Sequence, residues 1–287
     1  MIHVAKSREK LSKPNDKPYK KGAYYTGKEH VWDEAFGYWG AAAHTLTLSA
    51  KEVYEVAKKK NLKAADYNKD GVVDLRNEMT FAHAYYAASF DKGGKTNYSQ
   101  TIMQAFVDGR KLIESTNGAK FTDSQNAKLK AYADIIASNW EKVIAEAVFK
   151  YAGSVYLDMA KLEKAIKSGS STDKAYSNYM KHWGELKGFA LSLQTGKRNL
   201  GDAAVRLNRL IGFSPLLLNS SQVIGLDSKG NYTKDQGSSW EEYMLHMLKV
   251  QKLMVDEFKV VARNKDQLAG IADLSKKLGG SNSAEND

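Results

Sequence analysis

At 287 residues, with 43% apolar and 10% aromatic side chains, the chain is long enough to bury one large core or two of ordinary size. It contains no cysteine, which excludes disulfides, thiolate metal sites and thiol nucleophiles. The formal net charge is +10, but eight Lys or Arg against three acids fall within residues 1–30 and the rest is scattered, so no nucleic-acid-binding stripe is expected.

Residues 1–21, "MIHVAKSREKLSKPNDKPYKK", read as a flexible basic leader arm without an apolar core of signal-peptide length. No window is apolar enough for a membrane span, so membrane association is expected only through an anchor that has been removed or was never there. Residues 22–120 read as an N-terminal helical half, 121–280 as a C-terminal helical half and 281–287 as a disordered tail. Pro14, Pro18 and Pro215 are the only prolines and none falls in a periodic segment, which leaves long helices uninterrupted.

The first helix contains "EHVWDEAFGYWG", residues 29–40, where His30 stands three and four residues before Asp33 and Glu34 and so shares a helix face with them. Ser49 with Glu52 is a capping box that opens a short helix to about Lys60. Next comes "DYNKDGVVD", Asp66 to Asp74, with oxygen-bearing side chains at loop positions 1, 3, 5 and 9, glycine at 6 and an apolar residue at 8. A hard cation needs several oxygens around one point, alternate residues of a tight loop supply them, and the glycine permits the turn. The pattern predicts calcium held by Asp66, Asn68, Asp70, the carbonyl of Val72, and Asp74. Position 12 is Asn77, and the acid expected there comes one residue late as Glu78, which is expected to assist. The rival reading is a solvated turn between helices.

Helices are then predicted over Asn77 to about Phe90, Tyr98 to about Ser115, and Thr122 to Lys167. The last opens on a Thr122–Gln125 capping box and carries Leu129, Tyr132, Ile136, Trp140, Val143, Ala147 and Tyr151 as one apolar stripe. Another helix spans Asp173 to about Gln194. The stretch 214–239 is the longest loop, and its "DSKGNY" predicts a turn or small hairpin. Ser238 with Glu241 is expected to open a final long helix to Arg263, whose Met244, Met247 and Met254 read as core filler. His83, on an aromatic helix face, reads as a packed core histidine.

Within the 173–194 helix, "HWGELKGFALSLQ" echoes the opening motif: Trp32, Glu34, Gly37 and Tyr38 are matched by Trp183, Glu185, Gly188 and Phe189, with His30 and His182 shortly before each tryptophan. The chain therefore reads as an internal duplication. His and carboxylate pairs on facing helices are how helical bundles assemble first-row metal sites, which makes His30, Asp33, Glu34, His182 and Glu185 a candidate pocket for iron or zinc. The alternative is two buried hydrogen-bonded pairs.

These two motifs together resemble the imelysin-like proteins, an uncharacterised branch of bacterial envelope proteins, over roughly residues 22–280. The resemblance implies an all-α, duplicated helical bundle, into which the calcium loop read above would be inserted, export to the periplasm or outer surface, often with a lipid anchor, and association with iron uptake. The family's Gly-x-His-x-x-Glu core is only partly kept: Gly27 lies three residues before His30, Asp33 takes the acid position, and no glycine stands two before His182. The expected function is binding of a metal or metal-bearing ligand, with calcium as a stabiliser. The rival is a non-enzymatic envelope scaffold or protein-interaction module, and a peptidase comes third. No nucleophile with a base and no zinc-protease motif can be read, so no enzymatic activity is expected.

Overall fold

The computed structural model describes residues 16–279 except 197, so most of the leader arm and all of the 281–287 tail lie outside the described residues. Ten α-helices and one two-stranded hairpin make up that stretch. The chain is mostly helical, as its periodicity predicts. It divides into two compact units, one running to Val143 and including Thr195 and Gly196, the other starting at Ile144. The division falls within a helix, where the sequence reading places a joint at 120/121.

In the first unit, helix α1 (Gly27–Trp39) opens on a reciprocal capping box between Thr26 and Glu29 and stops at Gly40, whose φ of 80° is left-handed. Its inner edge buries Val31, Trp32, Ala35 and Trp39. Helix α2 (Ala50–Ala57) opens on the Ser49–Glu52 box that the sequence predicts. A single turn, α3 (Leu62–Ala65), leads into the acidic loop. Helix α4 (Ala82–Asp91) starts five residues later than the predicted Asn77, because residues 74–78 form a turn that turns Glu78 inward. Between α4 and α5 (Tyr98–Glu114) the joint is held by buried Asp91, which accepts hydrogen bonds from the Thr96 hydroxyl and the Tyr98 and Ser99 amides.

Helices α1 and α5 approach closely because residue 109 has no side chain. The Trp32 ring lies where a Cβ at Gly109 would come within 2.0 Å of its Cζ2, and Trp32 Nε1 donates to the Phe106 carbonyl at 2.9 Å. Tryptophan thus buries its bulk while its one polar atom stays satisfied.

Helix α6 (Asp123–Lys167) opens on the predicted Thr122–Gln125 box. Of its predicted stripe, Leu129, Ile136, Trp140, Val143, Ala147 and Tyr151 are buried and Tyr132 is half-buried. From Val143 to Phe149 every residue is buried, including Glu146, so the helix there has no solvent face.

The second unit continues with α7 (Asp173–Gln194) and α8 (Asp202–Ile211), the latter not predicted from the sequence. The hairpin pairs β1 (Ser221–Leu226) antiparallel with β2 (Tyr232–Gln236), and Asp227 accepts the Lys229 and Asn231 amides in its turn. Helix α9 (Trp240–Phe258) is capped by Ser239 with Glu242, one residue beyond the predicted Ser238 and Glu241. It stops at Phe258 and not Arg263 because the next amides are taken elsewhere: Glu146 accepts from Val261, Ala262 and Arg263 at 2.6, 2.7 and 3.0 Å. Met244, Met247 and Met254 are buried on its inner face. The last helix is α10 (Gly270–Lys277).

Replacing Gly109 with Ala forces the Trp32 ring out of its seat. The expected cost is about 2 kcal/mol, in the range for overpacked cores, read as a lowered denaturation midpoint with altered tryptophan emission. An unchanged midpoint would show that the ring shifts freely.

Candidate functional site

The acidic loop is the densest gathering of metal-type oxygens predicted from the sequence, and its local geometry follows from α3 ending at Asp66. Asp66 accepts the amides of Asp70 at 3.2 Å and Gly71 at 3.0 Å, one on each carboxylate oxygen. Asn68 Oδ1 also accepts from the Asp70 amide at 2.9 Å, and Asp70 Oδ1 accepts from the Val72 amide at 2.8 Å. Lys69 and Gly71 take left-handed φ values of 61° and 84°, which wind the backbone tightly enough for these bonds. The first, third and fifth positions thereby fold over one stretch of backbone, and each oxygen keeps lone-pair capacity. Val73, at the eighth position, packs against the small core of Val56, Ala65 and Met79 and ties the loop to α2 and α3.

Position nine is already partnered. Asp74 Oδ1 accepts from Arg76 Nε at 3.1 Å, and Oδ2 accepts from Arg76 Nη2 at 3.2 Å and Asn77 Nδ2 at 3.0 Å. Arg76 holds the Asp74 carboxyl below the usual carboxylate range.

Glu78 stands elsewhere than at the end of a helix facing the loop centre. It is 6% exposed, accepting the Tyr67 and Asn68 amides at 3.0 and 3.3 Å on one oxygen and the Asp74 amide at 2.8 Å on the other. One carboxylate thus clasps both ends of the loop. Beside it stands a residue the sequence reading did not connect with the loop: buried His44, whose Nε2 lies 3.0 Å from the Ala64 carbonyl and whose ring stacks on Tyr67.

The five residues of the second candidate pocket fall in different compact units, His30, Asp33 and Glu34 in the first, His182 and Glu185 in the second. His30 stacks on Tyr19 with ring centroids 3.8 Å apart, and on Tyr25 at 5.8 Å. Asp33 binds the Arg110 guanidinium at 3.0 Å, and the same guanidinium reaches Glu29 at 3.1 Å. His182 Nδ1 lies 2.5 Å from Asp158, a 2% exposed carboxylate on α6. Among the described residues, no three His, Cys, Asp or Glu side chains gather closely enough to form a metal-holding group. That holds also for Asp66, Asp70, Asp74 and Glu78, the carboxylates among the expected calcium ligands.

Sequence spacing missed Arg110 and Asp158. Arg110 sits 77 positions from Asp33, beyond any local pattern. Asp158 left a trace as a lone acid in the otherwise apolar run "VYLDMA", a setting that calls for a buried partner.

His83 is half-buried against Trp140, with ring centroids 5.3 Å apart. Among the described residues, no helix is long and apolar enough to cross a membrane. Compared with known family models, curated proteins and solved structures, the chain matches none.

Burial pushes the His83 pKa below its usual 6.5. The folded protein therefore binds this proton less readily than the unfolded chain, and stability present at neutral pH is lost as pH falls through about 6.5. A His83→Phe variant should lose less of its melting temperature than the parent between about pH 7.5 and about pH 5.5. Parallel losses would remove His83 as the cause.

Proposed function

We propose that the protein is a non-enzymatic helical binding module of the bacterial envelope whose loop 66–78 takes up calcium. The observation that carries the reading is the convergence of Asp66, Asn68 and Asp70 over the 70–72 backbone, with Gly71 making the turn that this spacing requires. Calcium would neutralise the clustered acids and replace the Arg76 contact at Asp74. Glu78 would keep the two ends of the loop in register from behind. An extracytoplasmic setting suits a loop of this kind, because calcium is plentiful there and modest affinity suffices. The envelope location and the duplicated ancestry rest on the two tryptophan-centred motifs and their imelysin-like resemblance.

A second reading, iron or zinc at His182 with Glu185 and a link to metal acquisition, has one observation in its favour. Buried Asp158 fixes the His182 ring through Nδ1, the outer partner a metal-ligating histidine usually has. With the proton on Nδ1, the lone pair of Nε2 is left for a metal or another acid.

Saturating calcium should raise the melting temperature by several degrees, since at about a hundredfold over Kd it adds about 2.7 kcal/mol. Chelator should reverse the shift, and an Asp66→Asn, Asp70→Asn double variant should abolish it. A midpoint indifferent to calcium would sink the loop as a site. For the second reading, elemental analysis of untagged protein should show iron or zinc that falls in His182→Ala and not in His30→Ala. Equal metal in all three would exclude it.

A further inference from the structure

Beside the loop lies a concave pocket of about 380 Å³, walled by Tyr67, Asn68, Asp74, Asn77 and Glu78 from the loop and by His44 from the segment before α2. Its most unusual wall is Tyr67. The ring is 61% exposed although His44 covers one face, with centroids 5.0 Å apart and planes 21° from parallel. His44 is itself fixed, being 6% exposed with Nε2 on the Ala64 carbonyl. An exposed tyrosine usually moves freely, whereas this one is braced from behind. A braced aromatic face is a stacking surface that costs little further entropy on binding.

The polar walls select the ligand. Asn68 and Asn77 offer amides, Asp74 and Glu78 offer carboxylates, and no Lys or Arg lines the pocket, so an anion would meet only like charge. Its two carboxylates are already partnered. Asp74 is paired with Arg76, and Glu78 is satisfied by three backbone amides. A neutral molecule fits, with one face of C–H bonds for the negative face of Tyr67 and an edge of hydroxyls that both donate and accept. The pocket's size lies in the range of small-molecule sites, about 300 to 1,000 Å³.

We propose that this pocket binds a neutral sugar ring, stacked on Tyr67 and hydrogen-bonded through its hydroxyls to Asn68, Asn77 and Asp74. The inference goes beyond the calcium reading and rests on it only in that the same loop forms most of the wall. A cation in the loop would hold Tyr67, Asn68 and Asp74 in place and so strengthen sugar binding.

The experiment is saturation-transfer NMR on the full chain, with the methyl glycosides of glucose, galactose, mannose and N-acetylglucosamine as separate probes, in calcium and in chelator. Calcium uptake is measured independently by calorimetry, and circular dichroism checks the fold of each variant. The expected result is transfer to the ring protons of one or more glycosides, weakened about tenfold in affinity in Tyr67→Ala and retained in Tyr67→Trp, with calcium uptake unchanged in both. Binding of a sugar that depends on Tyr67 in protein that takes up no calcium would support the pocket and overturn the calcium reading. Absence of transfer from all four probes to calcium-loaded protein would overturn the sugar proposal, as would transfer equally strong in Tyr67→Ala. Displacement of the glycosides by a simple alkylammonium ion at equal concentration would overturn it in favour of a cationic ligand.

Discussion

Buried backbone amides must find acceptors, and in this protein three buried carboxylates take up that duty at places where a helix gives way to irregular chain. Glu78 gathers three amides at the acidic loop, Asp91 two amides and a hydroxyl at the joint before α5, and Glu146 three amides after α9. All three are nearly sealed from water, at 6%, 2% and 0% exposure. A hydrogen bond to a charged group contributes about 1.5 to 3 kcal/mol, while an unpaired buried amide costs about as much. Each carboxylate therefore fixes a backbone course that helix propensity alone would not choose. The end of α9, the late start of α4 and the closure of loop 66–78 all follow from it.

The same device holds the acidic loop in its folded course. Acids at positions one and five would repel across so short a span, but their oxygens are turned onto the amides of residues 70–72. Glu78 pins the loop ends from the protein side, and Val73 anchors the middle in a small core. Tyr67 stays exposed beside the loop, where the His44 ring braces it.

The two tryptophan-centred motifs are alike in sequence and differ in surroundings. Trp32 lies over Gly109 and bonds a backbone carbonyl, whereas Trp183 donates to the Tyr243 hydroxyl. His30 stacks on tyrosines, whereas His182 meets a buried carboxylate. Equivalent spacing places equivalent groups on a helix face, but the partners come from other elements. Local pattern carries no information about them.

Much of the helical fold was legible because its signals are local. The Thr122–Gln125 and Ser49–Glu52 boxes, the stripe from Leu129 to Tyr151 and the turn residues of "DSKGNY" depend on neighbours within a few positions, and the chain cannot change them without changing its own periodicity. The turn built by Asp66, Asn68 and Asp70 was legible for the same reason, since a tight loop turns alternate residues onto its own backbone. Which of two adjacent serines caps α9, where that helix stops, and that Glu78 faces the loop's rear were not legible. Nor was the meeting of His44 with Tyr67, or of His182 with Asp158. Those outcomes depend on which distant backbone and side-chain groups arrive together, and only the packed chain decides which buried acceptor meets which amide.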